Sequence, residues 1–287
     1  MQGVKGRSYT DNAVVRTLDN GFTVTLERLP YLHSATAGIW IKTGSAHELK
    51  EQCGISHFLE HLFFKGTTTR TAREIIEPVE AKGGHLNAFT SREYTCLYVK
   101  TLDSHIATGI EILADIVKNS TFNDLEKERN VILEEIASIE DVPEDLIHDL
   151  LAEKMWPNHP LGRAVSGYED TVSALTLDAI RSYYASWYKP RNMYFSIAGN
   201  FDEMAVMEQI EREFGPLSAE APASYSQPLS FSSGIKSIDR DIAQDHFCLG
   251  HPGPTVAEPR RYVYDVLWSA LGGGSTSRLF QRVREDE

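Results

Sequence analysis

Long apolar runs and secretion signals are both missing from this sequence. No stretch reaches the ~18 consecutive apolar residues that a membrane-spanning helix needs, so we expect no membrane partner. The first six residues lack the apolar core of a signal peptide, and an arginine-rich, acid-poor transit peptide is missing as well. These features predict a cytoplasmic protein.

Basic charge and cysteine are also scarce. There are 28 basic against 41 acidic residues, a formal net charge of -13. Nucleic-acid-binding proteins normally have a basic stripe, so we expect no nucleic-acid partner. The three cysteines, Cys53, Cys96 and Cys248, are widely spaced, which indicates neither a disulfide framework nor a cysteine zinc knuckle.

Strands and helices follow one another with hairpins between strands, which is typical of an α+β fold rather than a regularly alternating one. Residues 14–18 and 22–27 flank Asn20-Gly21, a strong hairpin signal. From Gly54, apolar residues recur every three or four positions and predict a helix that ends near Gly66. Further strands are predicted at 35–43, 85–90, 94–100 and 192–198, and further helices at 71–81, 104–117, 123–139, 144–156, 177–187 and 202–214.

A short proline-rich stretch suggests two domains. We predict a catalytic domain at 1–215, a linker at 216–228 and a second domain at 229–287. The second domain is predicted to contain strands at 229–239 and 243–250, a helix at 262–271 and another from residue 277, an order that echoes the first domain. With roughly 60 residues it is near the lower size limit for independent folding, so we expect it to be incomplete.

The segment His57-Phe58-Leu59-Glu60-His61 is the strongest chemical signal. Histidines four residues apart lie on one helical face about a turn apart, so both imidazoles can reach one metal ion. Glu60 lies beside that face, where it could act on a metal-bound water without being a ligand. The order H-x-x-E-H is the inverzincin motif. A chance order of surface residues is the alternative, but the apolar neighbours place this helix in a core.

A catalytic zinc needs a third protein ligand and an open position. Glu128 and Glu135 are seven residues apart, two turns along one face of the acidic helix predicted at 123–139. Glu135 could supply the third ligand, and Glu128 a carboxylate behind the ligands. Because acidic helices are common, two solvated glutamates remain the alternative.

Three stretches resemble the pitrilysin and mitochondrial-processing-peptidase family of metallopeptidases, most closely its processing-peptidase branch with its bacterial relatives. They are G-I-S-H-F-L-E-H-L-F-F-K-G-T at 54–67, G-G-H-L-N-A-F-T-S-R-E at 83–93 and E-R-N-V-I-L-E-E at 128–135. The resemblance implies two similar halves, each an α/β sandwich with a mixed, largely antiparallel sheet. It also implies one zinc ion per catalytic domain.

The resemblance assigns roles to particular residues. His57 and His61 match the histidine ligands, and Glu60 matches the general base that acts on the zinc-bound water. Glu135 matches the third ligand, in preference to the glutamate just before it, and Glu128 matches an additional acidic residue near the site.

Substrate-binding residues are implied as well. Asn87, Ala88 and Phe89 match a strand edge that pairs with extended substrate, although an ordinary sheet strand would have the same residues. Arg284 matches the arginine of an R-E-x-x-G-L-x-Y stretch in the second half of the relatives. The chain ends four residues before the tyrosine of that stretch, which leaves open whether this chain by itself hydrolyses peptides.

The implied function is a zinc-dependent endopeptidase that hydrolyses extended or unfolded polypeptides. The resemblance further implies a homodimer or a partner subunit of the same family, in a bacterial-type cytoplasm. One alternative is a non-catalytic scaffold subunit, against which the intact His57, Glu60, His61 and Glu135 argue. Another is a zinc hydrolase that acts on small amides.

Overall fold

The computed structural model describes residues 13–225 and 227–285. Residues 1–12 of the predicted catalytic domain, residue 226 of the predicted linker and residues 286–287 of the predicted second domain lie outside the described residues. The chain divides into two compact units, one within Met1–His246 and the other within Phe247–Glu287. The predicted domain boundary at 216–228 stays a prediction.

The first unit contains a mixed sheet with the strand order β1-β2-β6-β3-β5-β4. Only the β2–β6 pair is parallel within this sheet, and the other four pairs are antiparallel. The predicted α+β class, with a mixed and largely antiparallel sheet, is therefore confirmed. The strands are β1 (Val14–Thr17), β2 (Thr23–Arg28), β3 (Ser34–Ile41), β4 (His85–Thr90), β5 (Thr95–Leu102) and β6 (Met193–Gly199).

Eight α-helices follow or separate these strands in the described residues of the first unit. Seven were predicted from apolar periodicity, whereas the six residues of α6 are too short to show a helical repeat. They are α1 (Ile55–Phe63), α2 (Ala72–Glu80), α3 (Ile106–Asn119), α4 (Leu125–Asp141), α5 (Pro143–Met155), α6 (Glu169–Ala174), α7 (Leu177–Trp187) and α8 (Glu203–Phe214). No helix among the described residues is both long and apolar enough to span a bilayer.

Helix α1 is packed into the core through one apolar face and contacts β4, α4 and α7. Its large apolar side chains are all fully buried: Ile55, Phe58, Leu59, Leu62 and Phe63. The two histidines and the glutamate of the H-x-x-E-H segment are only partly buried. This packing directs the two histidines and the glutamate away from the core and towards one common region.

The strands predicted at 229–239 and 243–250 are wrong, because these residues form neither strand nor helix. Apolar side chains that the alternation would place in a core are exposed instead, and Ile235 is 94% exposed. A strand needs a neighbour that completes its hydrogen-bond ladder, and alternation along one segment does not provide one.

The second unit contains two helices, as predicted. They are α9 (Arg261–Gly272) and α10 (Arg278–Phe280), and α10 continues into a π-helical turn at Gln281–Glu285.

Gly54 immediately precedes α1 and has a backbone conformation that favours glycine, with φ +91°. A Cβ at this position would lie 2.6 Å from the backbone oxygen of Ser166, whereas a Cβ at Gly83, with φ +71°, would meet nothing within 4 Å. We expect Gly83→Ala to cost about 1 kcal/mol of unfolding free energy from backbone strain alone. Gly54→Ala should cost about 3 kcal/mol or more, because the clash adds to the strain. Urea unfolding of both variants measures the difference, and equal losses would contradict the close approach.

Candidate metal centre

The structure brings His57, His61 and Glu135 together. His57 Nε2 lies 3.7 Å from Glu135 Oε1, and His61 Nε2 lies 3.7 Å from Glu135 Oε2. One candidate ligand atom from each residue falls within 4.8 Å of the others, and no other such group occurs in residues 13–225 and 227–285. Ligands bound tetrahedrally to zinc at 2.0–2.2 Å are roughly 3.3–3.6 Å apart, close to the two distances between Glu135 and the histidines, so this donor set suits zinc.

The ring of His61 is oriented by Glu128, which is almost completely buried. His61 Nδ1 lies 3.3 Å from Glu128 Oε2, and Glu128 Oε1 lies 2.7 Å from Lys65 Nζ. A carboxylate at Nδ1 favours the tautomer in which Nδ1 holds the hydrogen and Nε2 keeps its lone pair for a metal. The Lys65 ammonium offsets the charge of the buried carboxylate. Glu128 therefore supports the cluster without belonging to it.

His57 is held differently. Its Nδ1 atom is buried and has no hydrogen-bonding partner among the described residues. Burial, reinforced by the neighbouring His61, lowers the pKa of His57 to about 4. The imidazole of His57 is thus neutral near pH 7, which is the form that binds metals.

Glu60 lies beside the ligand cluster and is not part of it. Its Oε2 atom accepts a hydrogen bond of 2.5 Å from the hydroxyl of Thr90, the last residue of β4. Burial raises the pKa of Glu60, while the hydrogen bond from Thr90 and the proximity of His61 oppose that rise. The carboxylate is therefore held in place and more basic than a solvated glutamate.

Thr90 was missed by the sequence reasoning. In a strand, alternate residues share a face, so Thr90 lies on the same side of β4 as the buried Ala88. That side faces α1, which contacts β4. Strand alternation could have indicated that Thr90 faces the H-x-x-E-H helix. That inference requires knowing that β4 packs against α1, which the sequence does not show.

Asn87, Ala88 and Phe89 lie on β4, which is an edge strand of the sheet. Ala88 is buried, whereas Asn87 and Phe89 point to the opposite, exposed face. The Ala88 N–H donates to Asn87 Oδ1 at 2.9 Å, and the Phe89 ring contacts that of Trp40 edge-on at 5.9 Å. The position at the sheet edge suits pairing with an extended peptide, and substrate binding by these residues stays a prediction.

Arg284 lies in the second unit, in the π-helical turn that follows α10. Its guanidinium carbon is 5.1 Å from the centre of the Phe280 ring. The role in substrate binding that the sequence resemblance implies for Arg284 stays a prediction.

Comparison with known proteins identifies the family. Residues 23–169 match the family described as insulinase (peptidase family M16), and residues 174–287 match the family described as peptidase M16 inactive domain.

Two named zinc proteases are similar in sequence. The uncharacterized zinc protease YmxG of Bacillus subtilis is 44% identical over 94% of this chain and 66% of its own length. The uncharacterized zinc protease SCO5738 of Streptomyces coelicolor is 41% identical over 98% of this chain and 64% of its own length. The chain thus spans slightly less than two thirds of these relatives.

Two solved structures share the fold. A protease from Helicobacter pylori is 23% identical, with a TM-score of 0.83 over 96% of this chain and 68% of its own. The periplasmic protease PqqL from Escherichia coli is 26% identical, with a TM-score of 0.69 over 77% of this chain and 26% of its own.

Glu134 and Glu135 provide a matched pair for testing the third ligand. Both are exposed residues of α4, but only Glu135 approaches both histidines. We expect Glu135→Gln to weaken zinc binding by ~100-fold or more, because losing a ligand should exceed the 10–100-fold typical of losing a supporting partner. Glu134→Gln should change the affinity by less than about twofold. Competition with a chromophoric chelator measures both, and equal weakening would contradict the assignment.

Proposed function

The chain belongs to peptidase family M16, and from this membership and its candidate metal centre we propose that it is a zinc-dependent endopeptidase acting on extended or unfolded polypeptides. The supporting observation is the convergence of His57 Nε2 and His61 Nε2 on the Glu135 carboxylate, with the Glu60 carboxylate beside His61 and Glu135. Three protein ligands leave one tetrahedral position open, as catalytic zinc sites require.

The proposed chemistry is hydrolysis of a peptide bond. A zinc ion held by His57, His61 and Glu135 would make a water molecule acidic near neutral pH and polarise the scissile carbonyl. Glu60 takes the proton from the attacking water and delivers it to the leaving amine. The Thr90 hydroxyl keeps the Glu60 carboxylate on the side of the cluster where that transfer takes place.

The proposed substrate class follows from where β4 ends. Thr90, which contacts Glu60, is the last residue of this edge strand, and Asn87, Ala88 and Phe89 directly precede it. A peptide that adds to the edge of β4 by backbone hydrogen bonds would lead towards Glu60. Such pairing requires an extended chain, which supports unfolded or flexible polypeptides as substrates.

The proposal extends to metal content, partners and location. We infer one zinc ion per catalytic domain, since one ligand cluster occurs in the described part of the chain. A homodimer, or a partner subunit of the same family, is proposed from the family resemblance. A cytoplasmic location is proposed from the sequence, and the buried thiols of Cys53 and Cys96 support a reducing compartment.

Replacement of the general base separates zinc binding from hydrolysis. We expect Glu60→Gln to bind zinc like the wild-type chain but to hydrolyse an unstructured fluorogenic peptide ~10²–10⁴-fold more slowly, because an amide cannot accept the proton. Zinc content by atomic absorption and the cleavage rate are measured on the same sample.

The control is Glu80→Gln, which removes the same charge from the exposed end of α2 and should leave both quantities unchanged. Cleavage by the Glu60→Gln chain at the wild-type rate would rule out Glu60 as the general base. If the wild-type chain cleaved small amides but not the peptide, the proposed endopeptidase activity would be wrong and an amidase activity would take its place.

A further inference from the structure

Glu48 caps the helix that holds both histidines, although it lies outside that helix. The first N–H groups of a helix have no partner within it. The N–H of Gly54, the residue just before α1, donates to Glu48 Oε2 at 2.8 Å, and the N–H of Ser56 in the first turn donates to Glu48 Oε1 at 2.9 Å. Each carboxylate oxygen thus accepts one backbone N–H at the start of the helix, where negative charge is favoured.

A remote cap is needed because the usual one is sterically excluded. Helices normally begin with Ser, Thr, Asp or Asn, whose side chain accepts the N–H two or three residues later. The residue in that place here is Gly54, and its Cβ would lie 2.6 Å from the Ser166 oxygen and 3.0 Å from the Gly167 Cα. No side chain can be accommodated there, so the acceptor must come from another segment.

The Glu48 carboxylate belongs to a buried polar network behind α1. The Ser56 hydroxyl lies 2.8 Å from the Tyr183 hydroxyl, which lies 2.7 Å from the Thr43 hydroxyl. Arg163 donates to the backbone oxygen of Glu48 at 2.9 Å. Glu48, Ser56 and Thr43 are fully buried. The network therefore connects the first turn of α1 to β3, through Thr43 just beyond its end, and to α7.

A fully buried carboxylate is costly, which makes its presence informative. Burial raises the pKa of Glu48 to about 7, although the N–H groups of Ser56 and Gly54 and the charge of Arg163 oppose the rise. An apolar side chain would fill the same space at lower cost but would leave two helix N–H groups unpaired.

The two histidines differ in what orients them. His61 has Glu128 at Nδ1, whereas the buried His57 Nδ1 has no partner among the described residues. His57 directly follows Ser56, whose backbone N–H is held by Glu48. The direction of the His57 ring therefore depends on the backbone of the first helical turn.

We propose that Glu48 is a positioning residue of the metal centre, which orients His57 by anchoring the first turn of α1. The proposal rests on the proposed function, in that it requires His57 to bind the metal. Glu48 acts on His57 as Glu128 acts on His61, but through the backbone rather than through the imidazole. A role in the fold alone would instead affect stability and leave the metal ligands unchanged.

The test compares Glu48→Gln and Glu48→Asp with the wild-type 287-residue chain. An amide can accept only one of the two N–H groups, and an aspartate keeps the charge but ends one methylene short. We expect Glu48→Gln to bind zinc ~10–100-fold more weakly, as other supporting partners of metal ligands do. Glu48→Asp should lie between Glu48→Gln and the wild type. The visible absorption of the Co²⁺-substituted chain should change in both variants, because it reports ligand geometry.

The matched control is Glu74→Gln, which removes a helix-capping carboxylate from α2. Glu74 accepts the Thr71 N–H at 2.8 Å, and α2 contains none of the candidate metal ligands. This variant should lower the melting temperature slightly and leave zinc affinity and the Co²⁺ spectrum unchanged.

Each outcome separates this proposal from the proposed function. A wild-type chain that binds neither Zn²⁺ nor Co²⁺ would overturn both, because no metal centre would exist. Tight metal binding by the wild type, with the same affinity and spectrum in a folded Glu48→Gln chain, would overturn the role of Glu48 alone. Failure of both Glu48 variants to fold would also overturn it, since Glu48 would then serve the fold rather than the metal centre.

Discussion

Burial of the apolar face of α1 determines where His57, Glu60 and His61 lie. Five large apolar side chains of this nine-residue helix are fully buried, which corresponds to on the order of 10 kcal/mol of favourable transfer free energy. Because α1 packs against β4 and α4, the core sets the backbone positions of these three residues.

Helix α4 must be fixed just as firmly, because it contains Glu128 and Glu135. Ile132 and Ile136 bury one side of α4, and Arg129 holds it from another. The Arg129 guanidinium donates to the backbone oxygens of Val172 and Leu175 at the end of α6, where helix carbonyls have no partner of their own. Arg129 thereby joins α4 to α6, and the distance between Glu135 and the histidines depends on that connection.

Much of the fold and part of the site could be predicted because their causes are local. The hairpin at Asn20-Gly21 and the periodicity of α1 each depend on a few adjacent residues, as does the shared face of His57 and His61. Helical spacing also predicts that Glu128 and Glu135 share one face of α4. Spacing alone could not show whether they bind a metal or are solvated. Their approach to α1 is a tertiary contact.

What could not be predicted depends on contacts between distant segments. Thr90 reaches Glu60 only because β4 packs on α1, and Glu48 reaches Gly54 only because the intervening residues turn back. The mistaken strands at 229–239 and 243–250 also depend on distant contacts. Alternating residues favour a strand, but the described chain provides no neighbour to complete it.

The exposed edge of β4 has a consequence for the behaviour of the protein in solution. A strand edge that accepts an extended polypeptide by backbone hydrogen bonds does not distinguish substrate from another copy of itself, so the same feature invites self-association. The Asn87 side chain counters this by occupying the Ala88 N–H, which removes one donor from the edge. The proposed function therefore requires this edge to combine two opposing properties, binding of unfolded chains and resistance to its own aggregation.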